Sequence, residues 1–432
     1  TYPPRPLNGI MVAGYPTPDT RRAYTFPTAV AAKLSPLHAY SPDQIGSARP
    51  EEQAAMYRRS METMTGHLLE LIAGGVDVLM FVNGATDGAQ HRFFKFAAPN
   101  FPQVTDQERE RYAPLLDQIM IAADQQLGIL LDQLPDEVNT LVISDHGAMP
   151  RPVRAFNLNA WLAQAGWLAQ HNNGTAYGIA TAAGRRKSQQ LVEWAKQTLP
   201  ISDWVKRRLP AGMKQRIIQA RDGLGNIDWS HTQAFRVKMS HPFEGIHLNI
   251  AGRQPQGIVP QPEYPSLRQA IMDRLAHRPE IVAVKPREAV YAGPYMENAP
   301  DILVHLEKNY DGGADLDQVV TEIPAGWLQR ISGYHTLDGI LVAAGPAFIN
   351  KGSLSPTPPT YLRDIAPTVL HLLGLNVPEE MDGRVLSALF REQRLVQYGP
   401  GLPHRDLVTD GTLSADEEAG ILAALRDLGY ID

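Results

Sequence analysis

The chain has 432 residues, a formal net charge of -6 and no cysteine. Its length allows two domains or one large α/β domain with an insertion, and its charge gives no case for nucleic acid as a partner. Disulfides and thiolate metal sites are excluded, so any metal must be held by His, Asp and Glu, and no apolar run is long enough for a membrane span.

Residues 1–50 are rich in Pro and Gly. The first residue is Thr1 rather than Met, so the sequence is expected to begin inside a longer product or after a cleavage. A helix is predicted from about Pro50 to Ala73, with Leu68, Leu69, Leu71 and Ile72 on its apolar face. "VDVLMFVN" (76–83) is continuous and apolar and reads as a buried strand. Residues 106–134 read as one long amphipathic helix, and "NTLVISD" (139–145) as a second buried strand. Strand, helix and strand at this spacing predict a βαβ unit in a mostly parallel sheet.

The middle third differs. Residues 185–221 carry ten Lys or Arg against two acidic residues, which reads as a pair of solvated helices or as a basic lip over an anionic substrate. Trp194 and Trp204 in that stretch are expected to anchor helices. "GIHLNI" (245–250) and "EIVAVKP" (280–286) read as strands flanking a helix at 266–277. "DILVHLE" (301–307) and "DGILVAAGP" (338–346) resume the α/β pattern, and a helix near 363–374 ends at Gly374. The expected division is a core made of 1–170 and 298–432, interrupted by an inserted cap region at 171–297.

Three segments place His and carboxylates beside these strands. "GATDGAQH" follows the first strand, and its Asp87 and His91 are four residues apart, which puts both on one face if the segment opens a helix. Asp145 and His146 sit side by side after the second strand, and His335 ends "SGYH". Ligands gather at the carboxyl ends of strands in open α/β sheets, a rule that covers the first two segments but not His335. Each piece alone has an ordinary reading: a surface pair, an Asx turn closed by Gly147, or a turn histidine. Together, oxygen and nitrogen donors without thiolates suit two adjacent divalent ions in a hydrolytic site.

Other polar residues read as structural. Asp364 is expected to cap or charge the start of its helix, His371 to be structural on that helix, and Asn157 and Asn159 to serve as turn and capping residues before a helix at 159–165. His231, His241 and His247 fit no simple ligand spacing.

"TDGAQH", "SDHG", "GYHTLDGILVAAGP" and "YLRDIAPTVLHLLGLNVPEEMDGRVL" resemble the type I phosphodiesterase/nucleotide pyrophosphatase group of the alkaline phosphatase superfamily. The likeness extends to "TYPPRPLNGIMVAGYPTP", "FNLNAWL", "IDWSHTQAF", "GIHLNIAGRQPQGIV" and "VYAGP", and so covers nearly the whole chain. It implies an alkaline-phosphatase-like three-layer αβα core with an inserted cap, and two divalent metal ions, zinc first with manganese as the alternative. By the resemblance, one ion takes Asp87, His91 and His335, and the second takes Asp145 and His146. A further Asp and a Thr or Ser nucleophile are implied upstream of Thr1; were the nucleophile inside the chain, Thr17 and Thr20 would be the first candidates. The implied activity is hydrolysis of phosphodiester or nucleotide pyrophosphate bonds in a small phosphorylated substrate; separately, the absence of cysteine suits a reducing cytoplasm, the expected location. The alternatives are a phosphomonoesterase, phosphonate hydrolase or phosphomutase on the same core, or an inactive relative that only binds metal and a phosphorylated ligand.

Overall fold

The computed structural model describes residues 3–14, 23–34, 48–171, 224, 226–350, 352, 358–401 and 421. The basic stretch 185–221, with Trp194 and Trp204, lies outside the described residues, as do Thr1, Thr17 and Thr20. The chain divides into two compact units, 1–149 with 332–432, and 150–331. The central unit is thus wider at both ends than the expected 171–297 insertion.

The first unit is built on three helices, Pro50–Ala73, Gly84–Ala97 and Pro114–Leu131. Their facing residues, among them Tyr57, Met61, Ala89, Phe93 and Ile119, form one buried cluster. Pro50 stands at the first helical position, where a missing N–H costs nothing, and Glu51 and Glu52 face the positive end of the helix dipole. The expected single helix over 106–134 is two helices, Asp106–Tyr112 and Pro114–Leu131. Pro114 cannot donate back to the preceding turn, so it ends one helix and starts the next. Thr105 and Glu108 cap the shorter helix reciprocally.

The parallel sheet expected from the sequence is not what the described residues form. Thr140–Ile143 pairs with Leu341–Ala344 in antiparallel register, with Val142 opposite Val342. Residues 76–83 form no strand: Val76, Val78, Met80 and Val82 are exposed, Met80 at 80%. An apolar run becomes a buried strand only when neighbouring strands supply its ladder and both faces are covered. Among the described residues, 76–83 receives no such partner.

The second unit centres on a four-stranded antiparallel sheet. Its spatial order is Ala234–Lys238, Phe243–Leu248, Ile302–Leu306, Ile281–Pro286. Ile302–Leu306, expected to resume the α/β core, belongs to this sheet instead. Residues Phe156, Leu162, Ile246, Leu248, Ile271 and Val304 make its buried core, to which the helix Tyr264–Leu275 contributes Ile271 and Leu275. A smaller sheet sets Arg154–Phe156 between Tyr310–Gly312, in parallel, and Val320–Glu322, antiparallel. The molecule is therefore mixed α/β with mainly antiparallel pairing.

Asn157 and Asn159 do more than turn the chain. The Asn157 amide donates to the Gln318 carbonyl at 2.8 Å and to Thr321 Oγ1 at 3.0 Å, while its oxygen accepts from the Asp315 amide at 3.0 Å. Asn159 is buried and accepts the Arg236 amide at 2.7 Å. Both tie distant strands together and make no side-chain cap to the Leu158–Gln164 helix. Asp364 accepts the Tyr361 and Arg384 amides, each at 3.0 Å, ahead of the helix Ile365–Leu372, and Gly374 follows that helix with φ +71°. His371 packs edge-on against Phe390.

Candidate metal centre

Every candidate ligand lies in the first unit. Asn83 starts the Gly84–Ala97 helix by accepting the Ala85 amide at 3.1 Å. Its own amide group donates to Gln126 Oε1 at 2.8 Å, and Gln126 donates onward to the Met61 carbonyl. The helix start is therefore fixed to both neighbouring helices. One turn in, Asp87 and His91 fall on the same face, with Asp87 Oδ1 3.3 Å from His91 Nε2. Gly88 lets the helix approach Tyr57, since an added Cβ would lie 2.7 Å from the Tyr57 hydroxyl. Burial pushes that phenol up to about 12, so it stays neutral across the ordinary pH range.

His335 enters from the strand Gly333–Thr336. Its Nε2 stands 3.6 Å from Asp87 Oδ1 and 3.0 Å from His91 Nε2. These three donor atoms form a cluster able to hold one ion. Ligand atoms at tetrahedral angles around zinc, with bonds of roughly 2.0–2.1 Å, stand about 3.3 Å apart. The observed separations of 3.0, 3.3 and 3.6 Å bracket that spacing. The donor set of one carboxylate and two imidazoles also suits zinc chemistry.

His91 is almost fully buried, and its Nδ1–H donates to the Gly333 carbonyl at 2.7 Å. That bond leaves the Nε2 lone pair facing the cluster. Burial works to raise the Asp87 carboxyl, but the neighbouring imidazoles of His335 and His91 outweigh it and hold the group well below the usual carboxylate range. Asp87 is thus a fixed negative charge at neutral pH.

Asp145 and His146 occupy the turn between Thr140–Ile143 and Gly147–Pro150. His146 donates from Nδ1 to the Gly147 carbonyl at 3.0 Å, and its Nε2 lies 3.7 Å from Asp145 Oδ1 and 3.9 Å from Asp87 Oδ1. Its ring stacks on His335 with centroids 3.8 Å apart. The Asp145–His146 pair therefore borders the trio, and the Asp145 carboxylate is mostly open to solvent. An added Cβ on Gly147 would collide with the Asp338 carbonyl, so only glycine lets this turn close on the segment after His335. Ser144 joins the same two segments: its amide donates to the Ile340 carbonyl, and its hydroxyl accepts the Ile340 amide at 2.8 Å.

Among the described residues, His231, His241 and His247 do not form a further cluster. His231 bonds Asp228 at 2.8 Å, His241 faces Asp311 at 3.9 Å, and His247 faces Asp301 at 3.5 Å. Sequence reading passed over Ser332 and Gly333, which touch His91. Their only signal was the "SG" immediately before "YH".

Residues 15–311 match the family described as type I phosphodiesterase/nucleotide pyrophosphatase. The chain belongs to that family. The match takes in Asp87, His91, Asp145 and His146 but stops short of His335, whose place beside them is seen in the structure. Among solved structures, the chain is similar to human ectonucleotide pyrophosphatase/phosphodiesterase 5 at 12% identity and a TM-score of 0.34, over 80% of this chain and 65% of that one. The murine counterpart matches at 12% identity and a TM-score of 0.29, over 78% of this chain and 62% of that one. The chain therefore spans slightly less than two thirds of these relatives. A search of curated protein sequences finds no match. Among the described residues, no helix is long and apolar enough to cross a membrane.

Proposed function

We propose that Asp87, His91 and His335 hold one divalent metal ion, that Asp145 and His146 serve a second beside it, and that the family's phosphodiester or nucleotide pyrophosphate hydrolysis takes place there on a small phosphorylated substrate. The observation that carries this reading is the convergence of Asp87 Oδ1, His91 Nε2 and His335 Nε2 within 3.0–3.6 Å from segments more than 240 residues apart. Zinc fits the donor set best, with manganese as the alternative. A bound divalent ion supplies Lewis-acid chemistry at a phosphoryl oxygen.

The protein's own groups prepare the site. Asp87 brings a carboxylate that stays charged. His91 and His146 each commit Nδ1 to a backbone carbonyl and turn Nε2 inward. His91 is buried while Asp145 is exposed, so the site borders solvent at the Asp145–His146 pair.

The test is Zn2+ titration by equilibrium dialysis, run with hydrolysis of a bis-aryl phosphodiester and an aryl phosphomonoester. Wild-type protein is expected to bind Zn2+ through the trio and to favour the diester wherever it turns over. Asp87→Ala and His335→Ala should each lose the tighter ion. Full metal stoichiometry in both variants would sink the assignment, and a tenfold preference for the monoester would shift the substrate class.

A further inference from the structure

His335 reaches the Gly84–Ala97 helix through the two residues that open its segment. Ser332 is fully buried. Its amide donates to the His91 carbonyl at 2.7 Å, and its hydroxyl donates to the same oxygen at 3.0 Å. The next residue, Gly333, returns a bond by accepting His91 Nδ1–H at 2.7 Å. Three hydrogen bonds thus join the backbone and ring of one candidate ligand to the residues two and three positions before another. The approach is close enough to require glycine: an added Cβ on Gly333 would collide with the Gln90 carbonyl and crowd the Phe94 ring.

We propose that Ser332 and Gly333 form a latch that sets His335 at ligand distance from His91 and Asp87, making both of them positioning residues for the metal; the proposal rests on the metal reading above. The geometry gives the latch two tasks. The Gly333 carbonyl selects the His91 tautomer whose Nε2 is free to bind an ion. The two Ser332 donors fix the distance between the helix and the strand that carries His335, where an error of a few tenths of an ångström already strains bonds near 2 Å.

The experiment uses the full chain with Zn2+ as the probe, its affinity measured by competition with a chromophoric chelator. Ser332→Ala removes one of the three bonds and is expected to weaken Zn2+ binding about 10-fold, while Gly333→Ala should weaken it by about 100-fold, the range typical for residues that orient ligands. In Co2+-substituted protein, both variants should lose intensity in the visible bands that report tetrahedral coordination, a signature that a generally loosened fold would not single out. Thr65→Ala is the control. It deletes another buried hydroxyl-to-carbonyl bond, Thr65 Oγ1 to the Met61 carbonyl at 2.8 Å, this one within a single helix, and should leave Zn2+ affinity and the Co2+ spectrum unchanged. Wild-type affinity and spectrum in both Ser332→Ala and Gly333→Ala would overturn the latch while leaving the metal reading intact. Equal weakening in Thr65→Ala would overturn it too, by showing that any lost buried bond suffices. Wild-type protein that binds no Zn2+ would overturn the metal reading, and the latch with it.

Discussion

Asp301 is a heavily bonded carboxylate of the second unit. It is fully buried, and it accepts the Leu248 amide at 2.7 Å, Arg253 Nη1 at 2.7 Å and Arg253 Nη2 at 2.5 Å, with the Tyr264 hydroxyl at 3.1 Å. Burial would raise this carboxyl, but bonds from His247, Arg253 and the Leu248 amide hold it well below its ordinary 3.8. Because the folded value is depressed, the stabilisation is present above pH ~4 and fades as pH falls below the unfolded value of about 3.9. Asp301→Asn is expected to cost about 1.5–3 kcal/mol at pH 7, since partly exposed Arg253 loses its charged hydrogen-bond partner. Urea unfolding at pH 7 and pH 3 checks this: the gap between wild type and variant should shrink at pH 3. A variant within about 1 kcal/mol of wild type at pH 7 would mean that solvent or other groups satisfy Arg253.

At the scale of elements, the run at 76–82 offers a sharp contrast between two readings. As a buried strand it would tolerate no charge, and a lysine in it would cost several kcal/mol. In the structure, Met80 is 80% and Val82 74% exposed. The double substitution Met80→Lys/Val82→Lys is therefore expected to change stability by less than about 0.5 kcal/mol per site and to reduce binding of a hydrophobic dye. A loss of more than about 3 kcal/mol in thermal or urea unfolding would show that these side chains are covered in solution. Helices were the more legible elements. Pro50, the Thr105–Glu108 box, Pro114 and Gly374 mark ends by chemistry confined to one turn. The apolar period runs on through Pro114, so periodicity alone hides the break that the proline makes.

For the whole molecule, the division into two units makes a separate claim. Residues 150–331 carry their own buried core, whereas all five candidate ligands lie in the other unit. A fragment of 150–331 is expected to unfold in one cooperative transition by circular dichroism and to bind no Zn2+ at the affinity of the full chain. A fragment that melts without a transition would show that this core depends on the rest of the chain.

The sequence by itself determined what is local. Residue identity dictated the donor chemistry of Asp87, His91, Asp145, His146 and His335, and the i, i+4 spacing placed Asp87 and His91 on one helical face. The motifs also sufficed to indicate the family, since they are short and ordered along the chain. Tertiary structure decided what depends on partners distant in sequence. It set the antiparallel pairing of Thr140–Ile143 with Leu341–Ala344, the exposure of 76–82, and the membership of Ile302–Leu306 in the central unit's sheet. It also brought His335 to His91 and gave Ser332 and Gly333 their contacts there. A helix satisfies its backbone within four residues, so its pattern is written where it forms. A strand or a ligand cluster is completed by groups hundreds of residues away, and their arrival is fixed only by packing of the whole fold.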